Sequence, residues 1–85
     1  MTKAQRTAIG KVLCEASKKY WEGLSAPLEV IGQALTAQGF DASVLDGIYC
    51  GESGRESQPV DGKTHLVFSW YRMASGRYEV TAYLS

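Results

Sequence analysis

Apolar residues in the first third of the chain recur at three- and four-residue spacing. Ile9, Val12, Leu13, Ala16, Tyr20 and Leu24 fall on one side of a helix. Thr2 followed by Gln5 forms a capping box that starts this helix at Lys3, and Gly23 supplies a stop. Lys11, Glu15, Lys18 and Glu22 lie on the opposite face, each near an opposite charge. A second helix follows, capped by Ser25, with Pro27 in the first turn where a missing N–H is harmless. Its buried stripe is Leu28, Ile31, Ala34 and Leu35. Gly39 ends it, and Phe40 folds back on Leu35 as the hydrophobic partner of a Schellman cap. The short Gly23–Leu24–Ser25 link makes the two helices neighbours.

The period then changes. Residues 64–73 and 77–84 are rich in β-branched and aromatic side chains and read as strands. Ala74-Ser75-Gly76 between them suits a type I turn closed by a left-handed glycine. That loop length puts Leu66, Phe68 and Trp70 on one face with Tyr78, Val80, Ala82 and Leu84. His65, Val67, Ser69, Tyr71 and Met73 share the other with Arg77, Glu79, Thr81 and Tyr83. A two-residue turn at Ser75-Gly76 mixes the faces, so the longer loop is preferred. An earlier strand is expected in Gly47–Gly51, and Asp61-Gly62 marks a further hairpin joining residues up to Val60 with those after Lys63. The polar stretch 51–59 is compatible with an irregular, bulged strand or with a loop, and Pro59 confines any strand there to an edge. The expected fold is α+β: one domain, residues 1–85, with two N-terminal helices packed on one face of a three-stranded antiparallel β-meander.

Composition narrows the class. With 85 residues, 45% hydrophobic and 21% charged, the chain suits one globular domain. Only Cys14 and Cys50 are present, in different predicted elements, which fits free thiols in a reducing cytosol rather than a disulfide framework. No signal-peptide pattern and no membrane-length apolar run occurs, so a soluble, cytoplasmic protein is expected. The formal charge is zero but unevenly spread. Residues 1–24 net +3, from Lys3, Arg6, Lys11, Lys18 and Lys19 against Glu15 and Glu22. Residues 25–62 net −5, from six carboxylates against Arg55, and the remainder nets +2. A general nucleic-acid binder would carry a basic excess.

The chemical motifs are fragments. Gly62-Lys63-Thr64 resembles the end of a phosphate loop, but Ser57 stands where the Walker pattern needs glycine, and a strand follows rather than a helix. Gly51-Glu52-Ser53-Gly54 lacks nucleophile-elbow spacing. Cys14, Cys50 and His65 lack paired metal-ligand spacing, so no metal, cofactor or catalytic centre is expected. Asp41, Asp46, Glu52 and Glu56 form either an acidic patch or ordinary solvated loops.

The aromatic residues carry the functional expectation. Trp21 lies about a quarter turn off the buried helical stripe. Tyr49, Tyr71 and Tyr83 point away from the Leu66–Trp70 face, with Met73 beside them. Two helices cover one sheet face and leave nothing in 85 residues for the other. An exposed apolar and aromatic patch of that kind marks an interaction site, while aromatic cover for a small core is the structural alternative. The expected function is a small non-enzymatic module binding another protein, with Tyr71, Met73 and Tyr83 central and Trp21, Tyr49, Glu52 and Glu56 around them. A homodimer is the competitor. In general build the chain resembles small phage or mobile-element inhibitors such as anti-CRISPR proteins. That likeness implies phosphate-imitating carboxylates or aromatic contacts that block a host machine, and carries over no individual residue. The alternative is nucleic-acid binding by the basic first helix with Tyr71 and Tyr83 as stacking platforms.

Overall fold

The computed structural model describes residues 1–48 and 51–85 and places two helices ahead of an antiparallel sheet. Helix α1 spans Lys3–Ala16 and begins in the expected capping box. The Gln5 N–H donates to Thr2 Oγ1 at 3.1 Å, and the Thr2 N–H donates to Gln5 Oε1 at 2.8 Å. Ile9, Leu13 and Ala16 are its buried residues.

The helix stops seven residues before Gly23. Ser17 is its C-cap, and Lys18 turns into the left-handed region at φ 64°. Contacts with a distant strand dictate that stop. The Lys18 N–H donates to Val80 O at 2.6 Å, and Ser17 Oγ accepts from the Ala82 N–H at 2.9 Å while donating to Leu13 O at 2.7 Å. Tyr20–Trp21 then forms a short strand, β1. Tyr20 is therefore exposed on the sheet and not in the helical core stripe, and Leu24 reaches the core from the start of the next helix.

Helix α2 spans Ser25–Ala37. Leu24 occupies its N-cap without a side-chain bond, so Ser25 is the first helical residue rather than the cap. Pro27 sits in the first turn and is fully buried. The C-terminus is the expected Schellman cap: the Phe40 N–H donates to Leu35 O, the Gly39 N–H donates to Thr36 O, and Gly39 has φ 84°. Phe40 packs against the core.

Ala42–Gly47 forms a 3-10 helix whose Leu45 packs into the core, where the sequence pattern suggested a strand from Gly47. Asp41 caps it by accepting from the Ser43 N–H at 2.9 Å, and that bond lowers the carboxyl pKa. The remainder of the expected strand includes residues 49 and 50, which lie outside the described residues.

The sheet has four strands, not three, in the order β1-β4-β3-β2. Strand β2 is Ser53–Pro59, β3 is His65–Arg72 and β4 is Tyr78–Leu84. The polar stretch thus forms a regular strand, paired residue for residue with β3 from Ser53↔Tyr71 to Pro59↔His65. Its edge position accommodates Pro59. Gly54 lies opposite Trp70, and the indole occupies the space a side chain would need: a Cβ there would stand 2.7 Å from Trp70 Cζ2. The β3–β4 register matches the sequence reading, with Leu66↔Leu84, Phe68↔Ala82 and Trp70↔Val80. Gly76 takes φ 86° and closes the three-residue loop, the Met73 N–H donating to Arg77 O at 2.7 Å.

Both helices cover one face. Ile9, Leu13, Ile31 and Leu35 pack with Leu45 and Ile48 on Leu66, Phe68, Trp70, Val80 and Ala82. Fully burying a side chain such as Phe68 stabilises the fold by roughly 1.5–3 kcal/mol. Among the described residues, no helix is long and apolar enough to cross a membrane.

Candidate functional site

Strand alternation and the fixed registers write the opposite sheet face directly. One row across the four strands reads Tyr20, Glu79, Tyr71 and Ser53. The next reads Thr81, Ser69 and Arg55, and a third reads Tyr83, Val67 and Ser57. Met73 and Arg77 face each other where the hairpin closes. Among the described residues, the helices pack behind the other face, and on this one the three tyrosines stand out in solvent while Val67 is buried beneath its neighbours. Tyr71 is 64% exposed, Tyr20 53% and Tyr83 43%.

Two arginines order this surface. Arg55 Nη2 donates to the Tyr83 hydroxyl at 2.6 Å, and the pair crosses β3 at Val67, which is buried. Arg77 Nη2 donates to Tyr20 O at 3.0 Å, and its guanidinium lies 5.9 Å from the Tyr20 ring centroid. That separation is within the range of a cation–π contact.

Of the residues expected to bind a partner, Tyr71, Met73 and Tyr83 share this face as anticipated. Glu52 sits at its end, exposed and ion-paired to Arg72 at 3.0 Å, beside a shallow depression formed with Tyr71 and Met73. Trp21 and Glu56 do not join them. Trp21 pairs with Tyr78 on the helix-covered side, half-buried, its indole N–H donating to Ala16 O at 3.3 Å. Glu56 opposes Phe68 on that same side. Odd and even positions of a strand point to opposite faces, and this alone excludes both from the Tyr71 surface. Tyr49 lies outside the described residues.

Tyr20 and Arg55 were missed. Helical spacing drew Tyr20 into the α1 stripe, although the polar run Ser17-Lys18-Lys19 before an aromatic pair was a usable signal for a break. Period two did place Arg77 on this face with Glu79 and Tyr83, and only its contact with Tyr20 was unforeseen.

Other fragments resolve into structure. Gly62-Lys63 lies in a hairpin turn, where Asp61 accepts from the Lys63 and Thr64 N–H groups at 2.9 and 2.8 Å. Asp61 also pairs with the Met1 ammonium at 2.7 Å, and these contacts hold its carboxyl well below the usual range. Among the described residues, no three His, Cys, Asp or Glu side chains are grouped to hold a metal. The basic side chains of α1 and the Tyr71 surface lie on opposite sides of the sheet, so they do not form one continuous strip. No protein-family model, curated protein or solved structure matches this chain.

Proposed function

We propose that the protein is a non-catalytic module that binds another protein through the outer sheet face, with Tyr71 at the centre. The supporting observation is the exposure of Tyr20, Tyr71 and Tyr83 together on a face left uncovered among the described residues. Tyrosine is suited to this role because it buries a large area, carries a polar tip and loses little rotamer entropy. A cluster of such rings in water marks an interaction surface.

The test uses Tyr71→Ala and Tyr83→Ala, each measured for folding stability and for affinity toward a partner captured from cells of the source. Tyr71→Ala should weaken binding by about 2 kcal/mol or more, as a hot-spot residue does. Its stability should stay within about 0.5 kcal/mol of the parent, as surface substitutions do. A collapse of stability on these substitutions instead assigns the rings to the core and removes the proposal. Concentration-dependent sedimentation abolished by Tyr71→Ala would instead make this face a homodimer contact.

A single-stranded nucleic acid is the second reading, favoured by Arg55 and Arg77 beside exposed rings. Glu79 opposes it, because its carboxylate lies between Tyr20 and Tyr71 in the same row.

A further inference from the structure

Among the described residues only two ion pairs form, Met1 with Asp61 and Arg72 with Glu52. Arg55 and Arg77 have no carboxylate partner, although Glu79 shares their face. Each is nevertheless held in place by a tyrosine through one terminal nitrogen, Arg55 by the Tyr83 hydroxyl and Arg77 by the Tyr20 carbonyl and ring. A guanidinium has five N–H donors, so each retains a fork for a carboxylate. Prior ordering lowers the entropy lost when that fork is used.

Register fixes where these forks stand. Tyr71 faces Ser53 on one side and Glu79 on the other. Arg55 lies two residues beyond Ser53, and Arg77 two residues before Glu79. The arginines therefore flank Tyr71 on a diagonal across β2, β3 and β4. Strand spacings of about 4.8 Å and a rise of about 3.3 Å per residue separate their Cα positions by roughly 16 Å.

Resting on the protein-binding reading, we propose that the partner presents an extended acidic segment to this face. Its pattern is acid-x-apolar-x-acid. Alternate residues of an extended chain point the same way, so the two carboxylates and the apolar residue between them all face the sheet. The acids span about 13 Å, comparable with the separation of the arginine Cα positions. The apolar residue covers Tyr71. Glu79 disfavours a continuous phosphate backbone on the same diagonal and leaves an acceptor for peptide N–H groups.

The probe is a fluorescein-labelled peptide with the core Glu-Thr-Phe-Thr-Glu, compared with Gln-Thr-Phe-Thr-Gln and with a twelve-nucleotide oligothymidylate. Amide shift mapping on the full chain should place the Glu peptide on β2, β3 and β4. It should bind about tenfold more tightly than the Gln peptide, as expected when charge-assisted bonds replace neutral ones. Arg55→Gln and Arg77→Gln should each reduce that preference and together abolish it, while melting as the parent does. Equal affinity for the two peptides, absence of binding, or tighter binding of the oligonucleotide overturns the proposal. Captured-partner affinity separates the two claims. If Tyr71→Ala weakens it and the double arginine variant does not, the face binds protein without carboxylates, and only this inference fails.

Discussion

Gly54 opposite Trp70 offers the sharpest test of the described packing. Adding a methyl at Gly54 would place Cβ 2.7 Å from Cζ2, 3.0 Å from Cη2 and 3.3 Å from Cε2 of the indole. Ordinary carbon contacts lie at about 3.5–4.0 Å, so the overlap approaches an ångström. The ring has little room to retreat. It is buried, lies 5.5 Å from the Phe68 ring centroid, and its N–H donates to Gly51 O at 3.0 Å. Either the indole rotates and loses that bond, or β2 lifts from β3. Overpacking of this kind costs about 1–3 kcal/mol. Loss of the hydrogen bond adds about 1 kcal/mol. Against this stands the usual strand advantage of alanine over glycine, about 0.5–1 kcal/mol. Gly54→Ala should therefore destabilise by roughly 1–3 kcal/mol in urea melts, lowering Tm by about 4–8 °C for each kcal/mol. Gly62→Ala is the control, since nothing lies within 4 Å of its Cβ position. Trp70→Phe removes the offending ring atoms, so Gly54→Ala in that background should cost about 1–2 kcal/mol less than alone. A Gly54→Ala protein as stable as the parent, or strict additivity with Trp70→Phe, would refute this account of β2.

Phe68→Ala should cost about 3–5 kcal/mol, because the ring is wholly buried, and a loss below about 1 kcal/mol would invert the sheet faces described above. Acid sensitivity should trace in part to Asp61, whose folded pKa lies below the ordinary aspartate value of 3.8. Its stabilisation is complete above the unfolded pKa and is lost as pH falls toward the folded one, so stability should decline below about pH 5. Asp61→Asn should flatten that decline in pH-dependent urea melts, and parallel curves for the two proteins would contradict the assignment.

Much of this fold is written in short-range pattern. The Thr2–Gln5 capping box, the Gly39–Phe40 cap and the Ala74-Ser75-Gly76 loop each depend on residues a few positions apart. Their chemistry is therefore visible in the chain. The loop length also fixes the β3–β4 register and with it the division of faces, so Tyr71, Met73 and Tyr83 could be placed on the open side before any coordinates. Tertiary structure decided what local pattern leaves degenerate. Tyr20 and Leu24 continue the helical spacing of Ile9 and Leu13, but Ser17 and Lys18 bond to Ala82 and Val80, more than sixty residues away, and turn the chain into a strand. Residues 53–59 have no apolar alternation of their own. They become a strand because β3 offers an unpaired edge and Trp70 covers Gly54. Trp21 and Glu56 left the expected site for the same reason: the face a strand residue occupies is set by its partner's register. The Arg55–Tyr83 and Arg77–Tyr20 contacts join residues far apart in the chain, and only strand pairing brings them onto one surface.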